Sequence, residues 1–151
     1  MKIKILFFSI VLSLGSLLCS SDTGSTSSAT STTSYCTGDP QTSQVEIKVG
    51  QSCAQNGMKT GNNFYKFTTG SSAATYTVSL SDAPNSGNIN FAFYSDSSYN
   101  NQVGNSCATS SGTTRNCQTS ASLTASTTYY FGIANNTGSN LSTPYINVST
   151  P

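Results

Sequence analysis

The sequence predicts an all-β domain: an antiparallel β-sandwich of jelly-roll or immunoglobulin-like type, with about seven or eight strands and two local disulfides. Three observations predict it. From Tyr35 onward, short runs alternate apolar and polar residues and are separated by Gly, Asn, Asp and Ser. No window carries the 3.6-residue apolar period of an amphipathic helix. Four cysteines fall inside the alternating region, where cross-links support a core poor in bulky aliphatic residues.

The N-terminus has a different organisation. Lys2 and Lys4 precede an apolar run from Ile5 to Leu18, which is shorter than the ~20 residues of a membrane span and has the layout of a secretory leader. Cys19 follows at once, and then the Ser/Thr-rich stretch "SSDTGSTSSATSTTS". The arrangement resembles a bacterial lipoprotein, with leader 1–19 ending at a candidate lipidated Cys19, a tether over 20–34 and a domain over 35–151. Ser16 and Leu18 stand where a strict lipobox has Leu and a small residue, and ordinary cleavage just after Cys19 or Ser20 is the alternative. The resemblance implies a chain held at the bacterial envelope by lipid, at the outer membrane or cell surface; without the lipid it implies a secreted protein.

Five cysteines are an odd number for an exported chain. With Cys19 set aside for lipid, Cys36, Cys53, Cys107 and Cys117 can close two disulfides. Three pairings are possible, and the sequence alone does not select among them. The local pairing, Cys36 with Cys53 and Cys107 with Cys117, is preferred here, and each bridge would contribute about 2–3 kcal/mol in the chain-entropy model. Zinc is disfavoured because no C-x-x-C pair and no histidine is present.

The strands follow in order. In "VEIKV", Val45, Ile47 and Val49 share a face against Glu46 and Lys48. In "NNFYKFTT", Tyr65 and Phe67 oppose Phe64 and Lys66. In "ATYTVSL", Tyr76, Val78 and Leu80 alternate with Thr75, Thr77 and Ser79. "NINFAFY" sets Ile89, Phe91 and Phe93 against Asn88, Asn90 and Tyr94. "SASLTA" predicts a weaker strand around Leu123. "TYYFGIA" puts Tyr129, Phe131 and Ile133 inside and Tyr130 outside, and "PYINV" faces Ile146 and Val148 inward. "DAPNSGN" and "ANNTGSN" are turns, and "CATSSGTTRNC" is expected to be a loop pinned at its base.

This order of strands resembles the bacterial pre-peptidase C-terminal domain, over about residues 44–149. The matching segments are "VEIKVGQ", "NNFYKFTT", "ATYTVSLSDAP", "GNINFAFYSD" and "STTYYFGIANNTGS" followed by "PYINV". Asn63 stands where that pattern usually has Asp, and Thr127 where it usually has Gly. The resemblance implies a β-sandwich that is not itself catalytic and that in some members adheres to carbohydrate or fibrous protein, sometimes with calcium at its N-terminal edge.

Composition narrows the chemistry. Charged residues are only 7% of the chain, so neither a basic nucleic-acid face nor an acidic tail is expected. Without histidine, Ser-His-Asp and Cys-His catalysis have no base. Asp39, Glu46, Asp82 and Asp96 are the acids of the domain. Asp39 and Glu46 are the one pair within a short span and could supply oxygens to calcium, but Glu46 is on a strand's outer face and no EF-hand spacing is present, so solvated surface acids are the preferred reading. The expectation is therefore a non-enzyme without cofactor or metal. Three N-x-S/T sequons, at Asn135, Asn140 and Asn147, are no more than a chain this rich in Ser, Thr and Asn produces by chance.

Outward tyrosines are the remaining lead. Tyr94, Tyr130 and Tyr145, with Tyr99 in the loop "SDSSYNNQ", are the candidate ligand contacts, since a tyrosine offers a flat apolar face and a hydroxyl. Phe64 also faces out. Packing against cross-strand neighbours is the competing role for such residues. The expected function is a binding module for an extracellular glycan or protein; a structural spacer or assembly role in the envelope is the alternative.

Overall fold

Alternation of apolar side chains makes two sheets that hide one face each against the other. The computed structural model describes residues 33–151; the expected leader, Cys19 and the tether up to residue 32 lie outside the described residues. Nine strands are present among them: β1 (Val45–Glu46), β2 (Ser52–Ala54), β3 (Gly61–Thr68), β4 (Thr77–Ser81), β5 (Ser86–Tyr94), β6 (Cys107–Ser111), β7 (Arg115–Gln118), β8 (Thr128–Asn136) and β9 (Tyr145–Ser149). They form a five-stranded sheet in the order β1-β3-β8-β5-β6 and a four-stranded sheet in the order β2-β9-β4-β7. The architecture is the expected all-β sandwich.

The core lies between the sheets. Tyr65, Phe67, Ile89, Phe91, Phe93, Tyr129, Phe131 and Ile133 point inward from the first sheet; Val78, Leu80, Ile146 and Val148 meet them from the second. Phe131, on central strand β8, has its ring centroid 5.1 Å from that of Tyr65, 6.1 Å from Phe67 and 6.3 Å from Phe93. These spacings lie within the range of favourable aromatic pairs, which add to the gain from burying the rings. Met58, Leu123 and Leu141 close the core from loops.

Expectation and structure differ in four places. All neighbouring strands are antiparallel except β1 and β3, which run parallel with Val45 opposite Tyr65. The predicted strand 45–49 ends after two residues, because a turn closed by Gln51 N–H on the Lys48 carbonyl carries the chain to the other sheet. There it forms β2, which has only three residues and gave no alternation to detect. The segment around Leu123 is a single bridge to Ala74 rather than a strand, although Leu123 itself is buried.

The fourth difference concerns "CATSSGTTRNC", which is two strands and not a loop. β6 pairs with β5 in the first sheet and β7 with β4 in the second, so the chain changes sheets at the 112–114 turn. The Cys107–Cys117 disulfide therefore ties the edges of the two sheets together. Cys36–Cys53 fastens the N-terminal arm to β2, beside the Tyr35–Ala54 bridge. Both bridges have the local pairing. Ser34, placed in the expected tether, already belongs to the domain: its carbonyl accepts the Ala54 N–H at 2.7 Å.

Buried polar groups hold the loop ends. Asn63 is fully buried, and its Nδ2 donates to the carbonyls of Lys59 and Gly61 at 3.0 Å and of Ile133 at 3.3 Å. Asn135 donates to the Lys59 and Ser139 carbonyls, and its Oδ1 accepts from Thr137. The Asn135 sequon is thus sealed in the interior. Thr127 N–H donates to Thr69 Oγ1, closing the entry to β8. Gly87 lies in a bulge of β5, with φ of 93°, where an added Cβ would come within 2.7 Å of the Thr137 backbone.

Candidate functional site

The outer face of the five-stranded sheet is built in rows by strand register. Across β3, β8 and β5, Lys66, Tyr130 and Tyr94 form one row; Phe64, Gly132 and Ala92 form the next; Asn62, Ala134 and Asn90 form the third. The middle of the face carries almost no side chain, because Gly132, Ala92 and Ala134 adjoin one another. Phe64 and Tyr94 rise on either side. A Cβ at position 132 would lie 3.8 Å from the Phe64 ring and 4.0 Å from that of Tyr94. The result is an open slot of about 290 Å³, floored by Gly132 and bordered by Phe64, Tyr94, Asn62, Asn90 and Gln102.

Tyr99 joins this face from the β5–β6 connection. Its ring centroid is 4.3 Å from that of Phe64, 5.1 Å from Tyr94 and 6.1 Å from Tyr130, edge-on to both tyrosines. The loop that delivers it is organised by Asp96, whose carboxylate accepts from the backbone N–H groups of Ser98 at 2.9 Å, Asn100 at 3.3 Å and Asn101 at 2.7 Å. Those bonds, the Asn101 one foremost, hold the Asp96 carboxyl below the usual aspartate range. Tyr99 adopts a positive φ of 57°, which turns its side chain back over the sheet. Burial, followed by the neighbouring Tyr130 and Tyr94 hydroxyls, pushes its phenol up to about 12.

Three of the four candidate tyrosines, Tyr94, Tyr99 and Tyr130, therefore meet in one cluster with Phe64. Tyr145 does not: it is half-buried on the outward side of β9, in the other sheet. Gly132, Asn62, Asn90 and Gln102 were not singled out from the sequence. Alternation already places Asn62, Asn90 and Gly132 on outer faces. Their convergence depends on the register of three strands distant in the chain.

Asp39, like Asp96, is engaged locally. Asp39 accepts from Gln41 N–H and pairs with Lys59 Nζ at 2.9 Å; the Gln41 bond leads in lowering its pKa, with Lys59 adding to it. Asp82 is exposed in a turn with positive φ. Among the described residues, no group of three or more His, Cys, Asp or Glu side chains is placed to hold a metal ion. A second depression, of about 230 Å³, lies beside the Cys36–Cys53 bridge, with Tyr35, Glu46 and Lys48 at its rim.

Known structures bear on the fold. The chain is similar to the pre-peptidase C-terminal domain of a collagenase from Bacillus anthracis, with a TM-score of 0.50 and 13% identity, over 68% of this chain and 91% of that one. The fold is pre-peptidase C-terminal-like. At that identity the likeness carries the architecture and nothing of the ligand. No family model and no curated protein matches the chain. Two disulfides in a domain of this kind fit an oxidising, extracellular setting.

Proposed function

We infer that this chain is a non-catalytic, extracytoplasmic binding module of a bacterial envelope lipoprotein or secreted protein, and that it binds carbohydrate or extracellular protein on the outer face of the five-stranded sheet. The observation that carries this reading is the cluster of Phe64, Tyr94, Tyr99 and Tyr130 around an open slot. Rings of this kind, half-exposed and held by strands or, for Tyr99, by the Asp96-organised loop, offer contact area at little cost in conformational entropy. Supporting it further, two of the four acids, Asp39 and Asp96, are occupied by backbone and Lys59 partners. The membrane is a partner only through lipid on Cys19, and nucleic acid has no basic face to meet.

A structural or spacer role in the envelope is favoured by one observation: Tyr99 already packs on the other three rings, so part of the face is satisfied within the chain. The test is a panel of polysaccharides and matrix proteins presented to the full oxidised chain, beside a Tyr94→Ala/Tyr130→Ala double variant. Saturable binding that the variant loses supports the module. No binding by the folded chain turns the choice to the spacer.

A further inference from the structure

The slot over Gly132 has a chemistry more specific than the face around it. None of the side chains lining it is charged; it is walled by the Phe64 and Tyr94 rings and edged by three primary amides, Asn62, Asn90 and Gln102. Its volume, about 290 Å³, is at the small end for ligand cavities, which run from roughly 300 Å³ upward. The floor belongs to β8, which is hydrogen-bonded to β3 on one side and β5 on the other. A peptide backbone laid there would find no free strand edge to pair with. The Asn62 and Asn90 amides, in contrast, each present two N–H hydrogens and a carbonyl, and Gln102, whose Nε2 donates to the Gly104 carbonyl at 2.9 Å, adds its carbonyl and second N–H; such groups match neighbouring hydroxyls that both donate and accept. Asn63, one residue from Asn62, has its Nδ2 committed to carbonyls of the fold. The amides of Asn62 and Asn90 meet no hydrogen-bond partner among the described residues.

We propose that this slot binds one sugar ring of a neutral polysaccharide, a proposal that rests on the binding-module reading. The ring's C–H face lies on the low floor of Gly132, Ala92 and Ala134, beside the Phe64 and Tyr94 side chains. Its hydroxyls bond to Asn62, Asn90 and Gln102, and adjoining sugars run over Tyr99 and Tyr130. Glycine at 132 is what opens the slot. Its φ is not in the left-handed region, and an added Cβ would make only ordinary contacts, so the strand itself does not require glycine there. A valine suits a strand better and would fill the slot with its methyl groups.

Gly132→Val is therefore the variant that blocks the site, with Gly132→Ala, whose Cβ makes only ordinary contacts, as the milder companion. The full oxidised chain and the variant are titrated with a soluble neutral β-glucan and a galactomannan, with heparin as polyanion, and with a matrix-protein panel. Thermal unfolding checks that the variant is intact. The expected result is saturable binding of a neutral polysaccharide, weakened at least tenfold by Gly132→Val in a chain that still unfolds cooperatively. An Asn62→Ala/Asn90→Ala variant should lose binding in the same direction. Neutral-glycan binding that survives Gly132→Val overturns the slot but leaves the module. Binding of heparin or a matrix protein, with no neutral glycan retained, overturns the ligand class and also leaves the module. No binding of any probe by the folded wild type overturns both.

Discussion

Replacing Asn63 by aspartate tests the interior hydrogen-bond logic with almost no change of shape. The Asn63 Nδ2 group points at three carbonyls, at 3.0 Å, 3.0 Å and 3.3 Å, and the residue has no exposed surface. A carboxylate can only accept, so Asn63→Asp sets oxygen against oxygen and buries a charge with no cation beside it. Losing the donor removes three contacts to buried carbonyls, of which that of Lys59 keeps Asn135 as a donor, at about 1–3 kcal/mol, and the charge raises the cost to roughly 3–5 kcal/mol at neutral pH. For a domain of this size that is a Tm drop on the order of 10–20 °C. The new carboxyl's folded pKa rises above its unfolded value, so the penalty is full at neutral pH and shrinks as pH falls through the folded pKa. Urea unfolding of the oxidised chain at pH 7 and pH 4.5, compared with wild type at each pH, reads both effects. A loss under about 1 kcal/mol at pH 7, or one that acidification leaves unchanged, would refute the reasoning.

Phe131→Ala removes the ring shared by Tyr65, Phe67 and Phe93 and should cost about 3–5 kcal/mol in urea unfolding, the usual range for a buried phenylalanine. Cys107→Ser/Cys117→Ser releases the tie between the sheet edges, whose cysteines are 10 residues apart, and should cost about 2.7 kcal/mol, with the first hydrogen exchange appearing at β6 and β7. The Asp96 carboxyl is depressed by its backbone donors, so the order it gives loop 95–101 is present above the ordinary aspartate pKa and lost as pH falls through the lower folded one. Amide exchange at Ser98, Asn100 and Asn101 should accelerate only in acid below the ordinary aspartate range; acceleration already at pH 5–6 would contradict that.

Strands with a clean period of two were legible because their inward residues are bulky and apolar. Tyr65 and Phe67, Ile89 to Phe93, and Tyr129 to Ile133 all bury the expected face. β6 and β7 escaped because "CATSS" and "RNCQ" carry no such pattern: the inward residues of β7 are Arg115 and Cys117, and Arg115 is held inside by its Nη2 bond to the Pro84 carbonyl. The local disulfide pairing was favoured by loop length, yet its role in joining two sheets depends on topology. The tyrosines were visible one at a time. Alternation identified Tyr94 and Tyr130 as outward, but the grouping with Tyr99 depends on a loop folded by Asp96, and the separation of Tyr145 depends on which sheet β9 enters. The slot is a cross-strand neighbour effect: Gly132 matters because Ala92 adjoins it and Phe64 and Tyr94 flank it.

The most direct measurement of the binding face is an amide chemical-shift titration of the full oxidised chain with a soluble neutral β-glucan and, separately, a galactomannan. Shifts concentrated at residues 62–66, 90–94 and 130–134, with Tyr99 among them, are the expected result. Shifts confined to β2, β9, β4 and β7, or to the depression beside Cys36–Cys53, would contradict it, as would unchanged spectra at saturating concentrations of both.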